Sequence, residues 1–241
     1  MINRAEIKYE AKSILRTARV NPYIVTLLML GIGYVLNRVV DLAQGGSLFY
    51  SYELRQQYLM VWMSGDEEAM MQMLASIPED TAMSFFFSVL VTLVMLVLNG
   101  GFYIYCMGVR RGAEMPYSTL ADGLGVAGKL IWCAIQMAVK IFLWSMLFFI
   151  PGIIAVYRYR FAIYNILTDD SISAGEAIWR SCRQTQGMKW QLFVLDLSFL
   201  GWALLSNVTF GLLNIWLTPY MTMCDLGYYE KAQENIKYFR M

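Results

Sequence analysis

Five charged side chains lie inside apolar segments of this sequence, where charge is unusual. They are Lys140, Arg158, Arg160, Asp196 and Asp225. An isolated charge at the centre of a bilayer costs roughly 2.5–3.5 kcal/mol on insertion scales, so each of these residues needs a partner, water or a lipid headgroup. Basic side chains beside carboxylates can form ion pairs or can line a polar cavity. These five residues are therefore the candidate binding site in the sequence.

Helix geometry predicts which of these charges meet. A helix rises about 1.5 Å per residue, which places Arg160 and Asp196 each about 10 Å from the cytosolic ends of their helices, and Asp225 about 8 Å. We therefore expect Arg160 to pair with Asp196 and to share Asp225. Three cations against two carboxylates leave one positive charge in surplus. Three interpretations remain open: a dry ion-pair network that fixes helix register, a water-filled cavity for an anionic solute or lipid headgroup, and snorkelling to the interface.

The amino-acid composition argues against most kinds of catalytic and metal site. The sequence has no histidine, so the commonest general base and the commonest metal ligand are missing. Its cysteines are scattered singly, which predicts packing residues and neither a disulfide framework nor a metal site, at Cys106, Cys133, Cys182 and Cys224. We predict no catalytic residue, no metal site, no cofactor and no nucleic-acid partner, and expect the protein not to be an enzyme.

The elements that hold these charges are apolar helices. With 58% hydrophobic and 15% charged residues, the chain is more apolar than a soluble domain. We predict an all-α polytopic membrane protein, a single transmembrane domain over 1–241 with six crossings in three hairpins. The crossings are expected at 22–39, 81–109, 130–150, 152–167, 189–205 and 212–227.

Positive charge predicts the orientation. Segments 1–21, 110–129, 170–189 and 230–241 hold five, three, three and three Lys or Arg residues. Because cytoplasmic loops are enriched in these residues, both termini are expected in the cytoplasm. The polar first 21 residues indicate no cleavable signal peptide, so the protein is expected to stay in the plasma membrane.

Three further segments are predicted to be amphipathic helices. Residues 3–18 carry an apolar stripe and four basic residues, typical of a membrane-surface anchor or of a solvated helix. Residues 173–186 begin with the capping box Ser173 and Glu176 and form a second cytosol-side helix. The acidic, methionine-rich segment 41–80 predicts an outer helical cap, which either fills gaps in the core or recognises a partner.

The residues after Pro151 resemble a known family. The similarity rests on these runs and positions: Pro151 to Ile154, Tyr157 to Leu167, Asp169, Gly175 to Ile178, Ser181, Gly187 to Phe193, Leu195 to Phe199, Gly201, Trp202, Pro219, Tyr220, Tyr229 and Glu230. They resemble the domain of unknown function 975 family of bacterial integral membrane proteins. The sequence departs from the family pattern at Ala155 and at Asp169 to Ser171. The resemblance implies six membrane helices and no established activity.

These observations predict two functions. The first is a non-enzymatic accessory or regulatory component of the membrane, with membrane lipids and a membrane-protein partner or a second copy of the chain as contacts. The alternative is a small permease or channel for an anionic or amphipathic solute, which the cations Lys140, Arg158 and Arg160 would serve.

Overall fold

The computed structural model describes residues 3–43, 56, 59–75, 82–209 and 211–238. Over these residues the chain is helical and contains no strand. The helices are α1 (Arg4–Thr17), α2 (Pro22–Ala43), α3 (Glu67–Ala75), α4 (Ala82–Arg110), a 3-10 segment (Tyr117–Val126), α5 (Ala127–Leu147), α6 (Phe149–Tyr159), α7 (Ala162–Thr168), α8 (Ala174–Gln184), α9 (Lys189–Val208) and α10 (Asn214–Tyr238). The prediction of an all-helical chain is confirmed over this part of the sequence.

Four stretches are long enough and apolar enough to cross a membrane. They are Pro22–Asp41, Phe85–Arg110, Tyr117–Leu147 and Lys189–Val208. The segment predicted as a fourth crossing, 152–167, is divided between α6 and α7, and the segment 212–227 falls mainly in α10, which contains Pro219. The finer prediction of six crossings in three hairpins therefore remains a prediction.

The chain divides into two compact units. One consists of residues 31–95, and the other of the residues up to 30 together with those from 96 onward. In the first unit Gly33 faces the side chain of Met95 closely, and Arg38 pairs with Asp41 at 2.9 Å. Residues 44–55, 57, 58 and 76–80 of the predicted outer cap lie outside the described residues. The described part contains helical residues at 59–64 and then α3, separated by Gly65 at a φ of 66°.

The second unit contains two hydrophobic clusters. The larger joins α1, α4, α9 and α10 through buried side chains that include Ile7, Phe102, Leu192 and Leu226. The smaller joins α5, α6, α7 and α8, with Leu130 and Ile166 fully buried. Because α1 buries Ile7, Ala11 and Leu15 in the larger cluster, this helix packs on protein along its apolar stripe.

Arg110 ties the carboxyl-terminal end of α4 to α1 and α10. Its guanidinium lies 3.0 Å from Glu10 of α1 and 2.7 Å from Glu230 of α10, and it also donates to the Met223 carbonyl at 3.4 Å. The Arg110 side chain is 5% exposed. A guanidinium with several donors in a fixed plane can satisfy three acceptors at once, so one residue fixes three helices.

A glycine contact holds α4 against the 3-10 segment. A Cβ built on Gly101 would overlap the carbonyl oxygen of Leu120, and one built on Gly123 would overlap that of Val97. The two backbones therefore approach more closely than any side chain would allow, as is typical of helix contacts in membrane proteins.

Candidate functional site

The centre of the candidate site is a break in the chain between two helices. Helix α6 ends at Tyr159 and α7 begins at Ala162, so Arg160 and Phe161 lie between them. The break exposes backbone groups that a continuous helix would satisfy internally. Ser181 of α8 satisfies two of them, because its hydroxyl accepts from the Phe161 amide at 3.1 Å and donates to the Arg158 carbonyl at 3.0 Å.

Helix α8 packs against this break and pairs its exposed backbone groups. Thr185, one turn after Ser181, also donates to the Arg158 carbonyl, at 3.3 Å. Neighbouring serine and threonine side chains are the usual means by which broken membrane helices keep their backbone paired. Ser173 caps the start of α8 by accepting from the Glu176 amide at 3.2 Å, as predicted. The Glu176 carboxylate instead pairs with Arg180 at 2.7 Å.

Arg160 reaches from the break to two aspartates on two other helices. Its Nη1 and Nη2 lie 2.6 and 2.8 Å from the two carboxylate oxygens of Asp196 on α9. Nη2 also lies 2.7 and 3.0 Å from the carboxylate oxygens of Asp225 on α10. The predicted pairing of Arg160 with Asp196, shared with Asp225, is confirmed. We call these three residues the ion triad.

The ion triad carries a negative charge. One guanidinium and two carboxylates give a formal charge of −1 (+1 − 2), and the three side chains are 18%, 32% and 19% exposed. The guanidinium also lies 5.8 Å from the centre of the Tyr157 ring, within cation–π range. A mostly buried, negatively charged group of side chains repels anions. The triad therefore favours a structural ion-pair network over a site for an anionic solute.

The structure does not bring Lys140 and Arg158 into this triad. Lys140 is half-buried on α5, and Arg158 is exposed at the end of α6 with its Nε 3.2 Å from Cys182 Sγ. Among the residues that the structure describes, no carboxylate lies within ion-pair distance of either cation. Depth along a helix predicts the level of a charge, but the direction in which it points depends on the helix rotation.

A second polar network lies along the same buried face of α8 and was not predicted. The amides of Asn165 and Gln184 exchange two hydrogen bonds of 2.9 Å. Asn165 also donates to the Ala177 carbonyl at 3.1 Å, and the Tyr229 hydroxyl donates to Asn165 at 3.1 Å. Asn165 is the signal that the sequence offered, because an amide inside an apolar helix requires a partner.

This network forms the floor of a cavity of about 400 Å³ with a charged rim. Arg180 on the rim is paired with Asp169 at 2.9 Å and with Glu176, and Arg183 stacks 4.8 Å from the Trp179 ring. The Ser171 hydroxyl and the Arg180 guanidinium hold the pKa of Asp169 below its ordinary value. The rim charges are thus largely neutralised within the chain. Over the described residues, no group of three or more cysteines and carboxylates is placed to hold a metal ion.

We expect Asn165→Leu to destabilise the protein by about 1–3 kcal/mol, because it leaves the Gln184 amide buried without its partner and removes one of the two partners of the Tyr229 hydroxyl. Asn207→Leu is the matched control, since Asn207 is exposed and donates within its own helix to Ala203. That control should stay within about 0.5 kcal/mol of the parent. Thermal unfolding in detergent compares the two variants, and equal losses would contradict the role of the network.

The fold and the site together define a class of protein. The described chain is helical, carries four helices apolar and long enough to cross a membrane, and holds an ion triad between apolar helices. These features are compatible with an integral membrane protein.

A family match narrows this class. Residues 146–236 match the model of the family described as Protein of unknown function (DUF975). The match confirms the resemblance drawn from the residues after Pro151. It includes all three residues of the ion triad and both amides of the polar network, whereas α1 and Lys140 lie outside it. No curated protein and no solved structure matches the chain.

Proposed function

We propose that this chain is an integral protein of a bacterial plasma membrane that acts as a non-enzymatic accessory or regulatory component. It would do so by binding a partner membrane protein through the exposed surface of α5 and α6. We call this surface the α5–α6 face. It consists of exposed apolar side chains, among them Phe142, Leu143, Met146, Leu147, Ile150, Ile153 and Ile154, with the exposed cation Arg158 at one end.

Arg158 is the observation that carries this proposal. It lines a shallow cavity of about 170 Å³ together with Trp144, Pro151 and Ile154. An exposed arginine on an otherwise apolar membrane surface is costly unless an opposite charge neutralises it. Its neighbour within the chain is the Cys182 sulfur, which is a weak acceptor. An acidic residue on a partner helix would supply the missing charge, and the cavity would receive an apolar side chain next to it.

The ion triad also supports an accessory function, because its charged groups are used to join helices of the same chain. All four terminal contacts of Arg160 go to Asp196 and Asp225, so the triad joins the α6–α7 break to α9 and α10. A group that is engaged in this way holds helices in register.

The topology that we propose has six crossings in three hairpins, with both termini in the cytoplasm. The four apolar helices would supply four crossings. Helices α6 and α7 together run over residues 149–168, about the 20 residues needed to cross a bilayer. Helix α10 would supply the sixth, with its basic end at Lys231 on the cytoplasmic side.

The alternative function is a small permease or channel for an anionic or amphipathic solute. One observation favours it: the break at Arg160 and Phe161 lies within an apolar hairpin, and broken helices form substrate sites in many transporters. The negative charge of the ion triad argues against an anionic substrate at that break.

Site-specific photocrosslinking tests the proposed function. A photoreactive phenylalanine analogue replaces Ile154 on the α5–α6 face, and the matched control replaces Leu204, an exposed leucine on α9. We expect the probe at 154, but not at 204, to crosslink one discrete membrane protein in intact cells. Adding Arg158→Gln should weaken this crosslink about tenfold or more, because a charge-assisted contact is lost.

Two different outcomes would contradict the proposed function. Crosslinks to lipid alone at both positions would contradict a partner on the α5–α6 face. A purified monomer or homo-oligomer that moves a solute across liposomes would replace the accessory function with the permease alternative.

A further inference from the structure

Helix α1 carries two adjacent stripes of side chains, one apolar and buried and the other basic. Ile7, Ala11 and Leu15 form the buried stripe, at 1%, 0% and 5% exposure. Each is followed by a basic residue, and these residues form a second stripe at Lys8, Lys12 and Arg16. Because residues four apart lie on one face of a helix, the two stripes are neighbours. The packing of the first stripe therefore fixes the direction of the second.

The basic stripe faces a cavity of about 510 Å³ between α1, α9 and α10. Lys8, Lys12 and Arg16 line one side of it, and Trp202, Trp216 and Tyr220 line the other. Lys8 is held in place by a 2.7 Å hydrogen bond to Ser198 and lies 4.3 Å from the Phe199 ring centre. Lys12 lies 5.6 Å from the Tyr220 ring centre. We call this space the basic cavity.

The cations of the basic cavity are not neutralised within the described chain. No carboxylate of the described residues lies within ion-pair distance of Lys8, Lys12 or Arg16. The carboxylate of Glu10, on the same helix, is engaged by Arg110. Partial burial lowers the pKa of Lys8, and the neighbouring charges of Arg4 and Lys12 add to this effect. An anion in the cavity would relieve the repulsion between these cations.

The aromatic and apolar walls of the basic cavity favour an anion that also carries an apolar part. Trp202 and Trp216 are each about half exposed, at 54% and 53%. On α9, Trp202 lies about one helical turn from the exposed Leu205, in a helix apolar enough to cross a membrane. A ligand that reaches the cavity along this surface comes from the lipid phase. Basic side chains bind phosphate oxygens with charge-assisted hydrogen bonds, and tryptophans at membrane interfaces pack beside headgroups.

We propose that the basic cavity is a binding site for an anionic phospholipid. Lys8, Lys12 and Arg16 bind its phosphate-bearing headgroup, and Trp202 and Trp216 pack against the upper part of its acyl chains. The proposal requires a membrane location but does not depend on the accessory function or on the α5–α6 face.

Lipid titration of the purified full-length protein in detergent, followed by native mass spectrometry, tests the site. The parent should bind phosphatidylglycerol in preference to phosphatidylcholine. The variant Lys8→Gln/Lys12→Gln/Arg16→Gln should weaken phosphatidylglycerol binding about a hundredfold, since each basic side chain near an anionic lipid contributes roughly a factor of five. The control Arg111→Gln/Lys189→Gln/Lys231→Gln removes the same charge from other cytosolic positions and should stay within about twofold of the parent.

Two further measurements complete the test. One distinguishes a lipid headgroup from a free phosphate, and the other distinguishes lost binding from lost folding. Glycerol 3-phosphate carries the phosphate without acyl chains and should compete at least about tenfold more weakly than the lipid. The single variant Arg16→Gln removes one exposed side chain and should weaken binding roughly fivefold in a protein that remains folded. Equal binding of the two lipids, equal effects of the two triple variants, or glycerol 3-phosphate binding as tightly as lipid would overturn the proposal.

Discussion

Arg160→Gln is expected to destabilise the protein more than any other single charge removal in the apolar helices, by about 3–5 kcal/mol. The substitution leaves Asp196 and Asp225 close together without a cation. Each aspartate variant, Asp196→Asn or Asp225→Asn, should cost less, because Arg160 keeps one carboxylate on its Nη2 nitrogen. Thermal unfolding in mild detergent, followed by tryptophan fluorescence, would measure all three variants.

The neighbouring arginine provides the control for this result. Arg158→Gln removes the same charge two residues away, from a side chain that is exposed and contacts a sulfur. It should change stability little. The double variant Arg160→Gln/Asp196→Asn should recover part of the loss, since the two residues interact directly. Additive losses in this cycle, or equal losses for the two arginine variants, would mean that the ion triad does not stabilise the fold.

Gly101→Ala is the second substitution with a large expected effect. The added methyl group would overlap the Leu120 carbonyl oxygen, a backbone atom that cannot rotate away. Helix α4 and the 3-10 segment would then have to separate, and overpacking of this kind costs typically about 1–3 kcal/mol. We expect a loss at the upper end of that range, measured by the same thermal unfolding.

Gly201→Ala is the matched control for the glycine contact. Gly201 lies in the interior of α9, and a Cβ there meets no atom within 4 Å. Alanine forms helices better than glycine by about 1 kcal/mol, so this variant should be neutral or slightly more stable. If Gly101→Ala and Gly201→Ala behave alike, the close backbone contact does not limit the packing of α4.

The sequence predicts the ion triad because helix rise is constant. Depth depends on counting residues from a polar end, and this count placed Arg160, Asp196 and Asp225 at similar levels. The same count predicts depths of about 14 Å for Arg158 and about 16 Å for Lys140, but it gives no information on the direction of their side chains. Which way a side chain points depends on how its helix is rotated, and packing partners on other helices set that rotation. Lys140 and Arg158 accordingly stand apart from the triad.

The break at Arg160 and Phe161 could not be predicted from local sequence. Neither glycine nor proline lies there, and the residues on both sides favour a continuous apolar helix. The signal lies in another segment, in Ser181 of α8 and in Thr185 directly after this helix, whose hydroxyls accept or donate at the break. These hydrogen bonds are tertiary contacts. The amphipathic periodicity of 173–186 predicts that one face of the helix is buried, but it does not predict which residues that face covers.

The same limit applies to α1 and to Arg110. The apolar stripe at Ile7, Ala11 and Leu15 was readable, but a stripe of this kind fits lipid and protein equally. The basic residue at the end of α4 predicted a cytosolic boundary, while its contacts with Glu10 and Glu230 depend on three helices that meet only in the folded chain. Sequence patterns thus predict the elements, and long-range contacts decide their partners.

The ion triad also has a consequence for how the protein is made. Asp196 and Asp225 follow Arg160 by 36 and 65 residues, so both are synthesised after it. At translation rates of 5–20 residues per second, the arginine emerges about 2–7 s before the first aspartate and about 3–13 s before the second. In the topology that we propose, the segment of α6 and α7 carries an unneutralised charge during that interval, which opposes its stable residence in lipid. In that topology the nascent segment would wait at the insertion machinery or at the bilayer surface, and membrane integration of the carboxyl-terminal half would be a concerted event completed by the arrival of α10.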